Sequence, residues 1–74
     1  MKLEDALAQR LRALCAQHKL SPAGLARASG ISLSAIHNLL DGKTRNPSLR
    51  TLHHIAKALN LTVAELLQLP ESVD

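Results

Sequence analysis

Apolar residues recur along this chain with the period of a helix, and short polar or glycine breaks divide the pattern into five segments. In the first, Leu3, Leu7, Leu11 and Leu14 share a face with Ala6 and Ala13 beside them, while Glu4, Gln9, Arg12 and Gln17 lie opposite. This predicts an amphipathic helix ending near His18. Ser21 is a good N-cap and Pro22 suits the first helical position, where its missing N–H would have no partner, so a second helix is expected to run to about Ser29. Gly30 can take the left-handed conformation that ends a helix sharply. Ile31 then turns into the core, and Ser32 caps a third helix that reaches about Leu40. Asp41-Gly42 is the next stop, and KTRNPS, residues 43–48, reads as a loop.

Ser48 caps a fourth helix whose buried face is expected to be Leu49, Leu52, Ile55, Ala56 and Leu59, leaving Arg50, His53, His54 and Lys57 wet. Asn60 suits a left-handed exit. Thr62-Val63-Ala64-Glu65 fits a capping box, in which the Thr62 hydroxyl bonds the third helical amide and Glu65 reaches back. A fifth helix should then run to about Leu69, before Pro70. No strand pattern, repeat or linker interrupts the series. The fold expected is all-α, a compact five-helix bundle in one domain spanning 1–74, with an ordered core of about 3–69 and a frayed tail over 70–74.

Composition narrows the picture. The 74 residues include no Phe, Tyr or Trp, so the core must come from Leu, Ala, Ile and Val, a mix that favours helices. A chain of this size buries only about 60% of its unfolded surface, enough for one small core. The net charge of +3 is mild, and the cations cluster only between Lys43 and Arg50, which points toward an anionic partner. Cys15 stands alone and cannot form an internal disulfide, which fits a small apolar filler in a reducing compartment. Glu4 and Asp5 stand where a signal peptide would need an apolar stretch, and no run approaches membrane length. A cytoplasmic protein with no membrane partner is expected.

Several chemistries are disfavoured. His53 and His54 are adjacent and so face different directions on a helix, no H-x-x-x-H pair occurs and there is no second cysteine, so no metal site is expected. The few carboxylates are scattered, and there is no glycine-rich phosphate loop or nucleophile elbow. An enzyme, a cofactor or a small-molecule substrate is therefore not expected on a chain too small for a deep pocket. Without aromatics to stack on bases, single-stranded nucleic acid is a poor partner.

The middle of the chain carries the informative arrangement. Ala26 is small where the next helix must cross closely, Gly30 permits the turn, and Ile31 and Ile36 anchor the third helix from below, leaving its opposite face free to project into a groove. Leu25-Ala26, Gly30-Ile31-Ser32, Ile36, Leu39, Asp41-Gly42-Lys43, Asn46-Pro47-Ser48 and the stretch LRTLHHIAKALNLTVAELL resemble the Cro/repressor-type helix-turn-helix regulators. The resemblance implies a lambda-repressor-like bundle in which helices two and three form the helix-turn-helix. It also implies sequence-specific binding of double-stranded DNA in the major groove by a transcriptional regulator, expected to be a repressor. Half-sites about one helical turn apart would require a homodimer. Leu66, Leu69 and Val73 are the candidates for its contact.

Leu33, Ser34, His37 and Asn38 share the face turned away from Ile36, Leu39 and Leu40, because 33/37 and 34/38 are four residues apart. The resemblance places base reading at Leu33, Ser34 and Asn38. The chemistry agrees: Asn38 can pair with adenine N6 and N7, Ser34 with several edges, and Leu33 can meet a thymine methyl, with His37 touching a base or a phosphate. Phosphate contacts are expected from Ser32, Lys43, Thr44 and Arg45, so the reading helix itself can be uncharged. The rival reading keeps the scaffold but gives Leu33 and its neighbours a polypeptide partner, as in an antitoxin or another protein-interaction module.

Two features depart from the family pattern. Pro22 stands where many relatives carry a phosphate-contacting glutamine, and nearby Gly24 should loosen the second helix by up to about 1 kcal/mol. Cys15 and Leu40 stand where many relatives place an arginine and a glutamate that form a partly buried ion pair. Here the two are expected to touch as an apolar replacement.

Overall fold

The structure, a computed structural model describing residues 1–70, has five helices: α1 (Leu3–Gln17), α2 (Pro22–Ser29), α3 (Leu33–Leu40), α4 (Leu49–Ala58) and α5 (Val63–Leu66). A hydroxyl opens each helix after the first. Ser21 Oγ accepts from the Gly24 amide, Ser32 Oγ from Ala35, Ser48 Oγ from Thr51 and Thr62 Oγ1 from Glu65, so each satisfies one of the amides that a helix start leaves unpaired. The last is a full capping box, with Glu65 Oε1 accepting from the Thr62 amide at 2.9 Å.

α1, α3 and α4 end in the same way. Left-handed Lys19, Gly42 and Asn60 let the amides of Leu20, Lys43 and Leu61 reach back to the carbonyls of Cys15, Asn38 and Ala56. Glycine and asparagine suit that backbone. Lysine, at φ 54°, adopts it at a cost of about 1–2 kcal/mol, which delivering Leu20 against the core helps to offset.

The core joins Leu7, Leu11, Leu14 and Cys15 of α1 to Leu25, Ile36, Leu39 and Leu40 of the middle helices and to Leu52, Ile55, Leu59 and Leu66 beyond. α1 packs on α3, α2 on both α3 and α4, and α4 on α5. Cys15 and Leu40 belong to this one cluster, and burial pushes the Cys15 thiol's pKa up, away from the reactive thiolate.

The hydrophobic pattern misplaced several residues. Leu3 and Leu49 are exposed, not buried, because each sits in the first turn of its helix, beyond the edge of the core. Ala13 is also exposed, and Ala8 is buried in its stead, beside Gly42. α5 stops at Leu66, short of Leu69. In a longer helix the Leu66 carbonyl would accept from residue 70, but Pro70 has no N–H. Arg10 supplies the donors: its Nε reaches the Leu66 carbonyl at 3.2 Å and its Nη2 the Glu65 carbonyl at 2.8 Å. Leu66 is fully buried in the core and unavailable for a dimer contact. Val73 and the rest of 71–74 lie outside the described residues.

Candidate nucleic-acid interface

α2 and α3 meet at a turn built from three adjacent residues. Gly30 ends α2 in the left-handed conformation (φ 75°), its amide bonding the Ala26 carbonyl, and the Ile31 amide donates to Ser29 Oγ at 3.2 Å. Ile31 and Ala26 are partly buried against the core. Ile36 is completely buried, with Leu39 and Leu40 nearly so, and these three fix the rotation of α3 about its axis. Turning the helix by one residue would bring Ile36 into water, at a cost of about 1.5–3 kcal/mol.

The opposite face is bare. Leu33, Ser34, His37 and Asn38 are all exposed, Leu33 by 43%, and α3 contains no lysine, arginine or carboxylate. Among the described residues no hydrogen bond or ion pair occupies the side chains of Ser34, His37 or Asn38. Ser32 Oγ accepts from the Ala35 amide at 3.2 Å, which leaves the hydroxyl proton free to donate outward. After Asp41 and Gly42 come Lys43, exposed, Thr44, half-buried, and Arg45, whose side chain is 80% exposed. Arg45 is not a bare cation: its Nε lies 3.2 Å from Glu4 Oε2. The Glu4 carboxyl is held below its ordinary pKa, first by its own backbone N–H at the start of α1 and then, against the effect of desolvation, by Arg45 and Lys2.

Sequence reasoning missed one residue that fixes α3. Arg12, placed on the wet side of α1, donates from Nε to the Leu40 carbonyl at 2.6 Å and from Nη2 to Asp41 Oδ1 at 3.1 Å. It satisfies a carbonyl at the end of α3 and neutralises the one carboxylate beside the exposed face. The available signal was the apolar pair Cys15 and Leu40, which left the junction of α1 and α3 without its usual polar strut while a cation stood one turn earlier. Elsewhere, no three His, Cys, Asp or Glu side chains converge among the described residues, and no helix there is long and apolar enough to cross a membrane.

A family model described as the Cro/C1-type HTH DNA-binding domain matches residues 10–72. The chain belongs to that family. That family is one of DNA-binding domains. The restriction-modification controller protein C.AhdI from Aeromonas hydrophila is similar in sequence and structure, with 34% identity and a TM-score of 0.80, covering 86% of this chain and 96% of that one. An HTH_3 family transcriptional regulator from Vibrio cholerae shares the fold, with 24% identity and a TM-score of 0.78 over 85% of this chain. The present chain spans only 35% of the Vibrio protein's length. No curated protein matches the chain.

Proposed function

We propose that this Cro/C1-type protein inserts α3 into the major groove of duplex DNA and acts in the cytoplasm as a transcriptional repressor. Leu33, Ser34, His37 and Asn38 read base edges, while Ser32, Lys43, Thr44 and Arg45 hold the phosphates. The observation that carries this reading is the contrast across α3: a fully buried aliphatic underside and an uncharged outer face with unoccupied donors and acceptors. Base discrimination needs directional hydrogen bonds and methyl contact, and flanking cations supply the attraction.

The protein works as a homodimer on paired half-sites, since one short helix covers too few base pairs for specificity. With Leu66 buried, the contact moves to the junction of α4 and α5. There Leu49, 70% exposed, lines with Val63, Arg50 and His53 a shallow apolar concavity of about 500 Å3 that a second copy can cover.

Selection of bound fragments from random duplex DNA tests the proposal and yields the operator. On that operator Asn38→Ala should cost about 1–3 kcal/mol and relax preference at one base pair, whereas Lys43→Ala should weaken all sequences alike and lower the salt slope by about 1. Equal losses on selected and random DNA for Asn38→Ala remove its base-reading role. The exposed Leu33 favours one alternative, a polypeptide partner on the same face. Binding that stays unchanged as salt rises would select that alternative.

A further inference from the structure

The loop after α3 has no helix or strand of its own to fix its side chains, yet it rests on the first turn of α1 at two points. A Cβ at Gly42 would lie 2.7 Å from Asp5 Oδ1, so the root of the loop lies directly against that carboxylate. Three residues on, Arg45 Nε meets Glu4 Oε2 at 3.2 Å. The two partners differ in exposure: the Glu4 side chain is 16% exposed and that of Arg45 80%. Glu4 and Arg45 both line a trough of about 290 Å3 whose walls include Leu3, Leu7, Pro47 and Leu52, with Glu4 the more covered of the two. The contact is an ion pair at Nε rather than an aligned hydrogen bond. Among the described residues no hydrogen bond or ion pair uses its other N–H groups.

Resting on the reading of Arg45 as a phosphate ligand, we propose that Glu4 is a positioning residue for DNA binding, pairing with the Arg45 guanidinium on its Nε side while the terminal N–H groups stay available to a phosphate. A guanidinium is suited to this because its planar fork can serve two oxyanions at once, which an ammonium on a flexible stem cannot do in fixed geometry. Holding it in place before DNA arrives removes part of the side-chain entropy otherwise lost on binding. The sign of the effect separates this role from plain electrostatics. A carboxylate near a phosphate repels it, so by charge alone removing Glu4 tightens binding. As a positioning residue, removing it weakens binding.

The experiment titrates a fluorescein-labelled duplex of mixed sequence at several salt concentrations with the wild type, Glu4→Gln, Arg45→Lys, Arg45→Ala and Glu4→Gln/Arg45→Ala. Thermal melts followed by circular dichroism establish that each is folded at the assay temperature. The expected result is a loss of about two- to fivefold for Glu4→Gln, the scale of an exposed ion pair. Arg45→Lys, which keeps the charge, should lose a similar amount and tests the same contact from the partner residue. Glu4→Gln should add nothing in the Arg45→Ala background. Unchanged or tighter binding by Glu4→Gln, or an equal loss in both backgrounds, overturns the proposal and leaves the phosphate role of Arg45 standing. If Arg45→Ala changes neither affinity nor salt slope, that role fails first and the proposal falls with it.

Discussion

At its N-terminal end α3 is held by devices a few residues away in sequence: Gly30 in the left-handed conformation and the Ser32 hydroxyl accepting from Ala35. At its C-terminal end local exit geometry is reinforced by distant residues. Arg12 reaches the Leu40 carbonyl across 28 positions, Asp5 lies against Gly42, and Glu4 meets Arg45. The base-reading candidates and Ser32 begin at the locally fixed end, and the phosphate candidates Lys43, Thr44 and Arg45 follow the remotely fixed one. One end is thus set by the chain's immediate neighbours and the other by the tertiary fold, so damage to α1 should disturb the backbone grip before the reading surface.

The largest test of that contrast lies at the apolar junction under the C-terminal end. Leu40→Glu places an unpaired carboxylate in the core and should cost about 3–5 kcal/mol by urea denaturation, and adding Cys15→Arg should recover much of it. Additive losses in the double variant would mean that the two sites do not cooperate. Next come the paired glycines. Both have left-handed φ (75° and 73°), so alanine at either should cost about 1 kcal/mol. At Gly30 nothing lies within 4 Å of a new Cβ, but at Gly42 Asp5 must move, so Gly42→Ala should cost more by thermal melting. Asp5→Ala should return it to the Gly30 level, and equal costs from the start would erase the difference between the two ends.

Arg12→Ala should cost about 1 kcal/mol, since the side chain is 60% exposed and its pair with Asp41 is screened. Amide exchange should quicken at residues 40–43 and stay unchanged at 31–34; uniform quickening would show that α3 responds as one piece. The smallest effect is on acidification. The Glu4 carboxyl titrates below its ordinary value, so its contribution is fully present above the unfolded-state pKa and is lost only as the pH falls through the lowered one. A carboxyl resonance followed by NMR should therefore have its midpoint below that of an unperturbed glutamate, and a midpoint at or above it would mean that neither the first amides of α1 nor Arg45 stabilises the carboxylate.

The same division decides what the sequence could reveal. Helix starts at Ser21, Ser32, Ser48 and Thr62, the turn at Gly30 and the exits at Gly42 and Asn60 are local chemistry, and all were readable from residue type and spacing. So was the segregation of Ile36, Leu39 and Leu40 from Leu33, Ser34, His37 and Asn38, because helical period alone produces it. Periodicity does not report how far the core extends, which is why Leu3 and Leu49 were assigned to it. It also gives no view of long arginines bridging helices: Arg10 ends α5 and Arg12 clamps α3 from positions that composition marks only as solvated. Lys19 escaped for another reason, since a lysine carries no hint of a left-handed backbone.

The reach of Arg10 has a consequence for synthesis. Its acceptors lie 55 and 56 residues downstream, so a nascent chain leaving the ribosome would expose α1 long before the carbonyls that complete its bonds have been made. Early helices can form and associate, but the bundle closes only when translation has passed residue 66. A pause before that point would hold α1 against α3 with the Arg10 guanidinium still short of its two carbonyls.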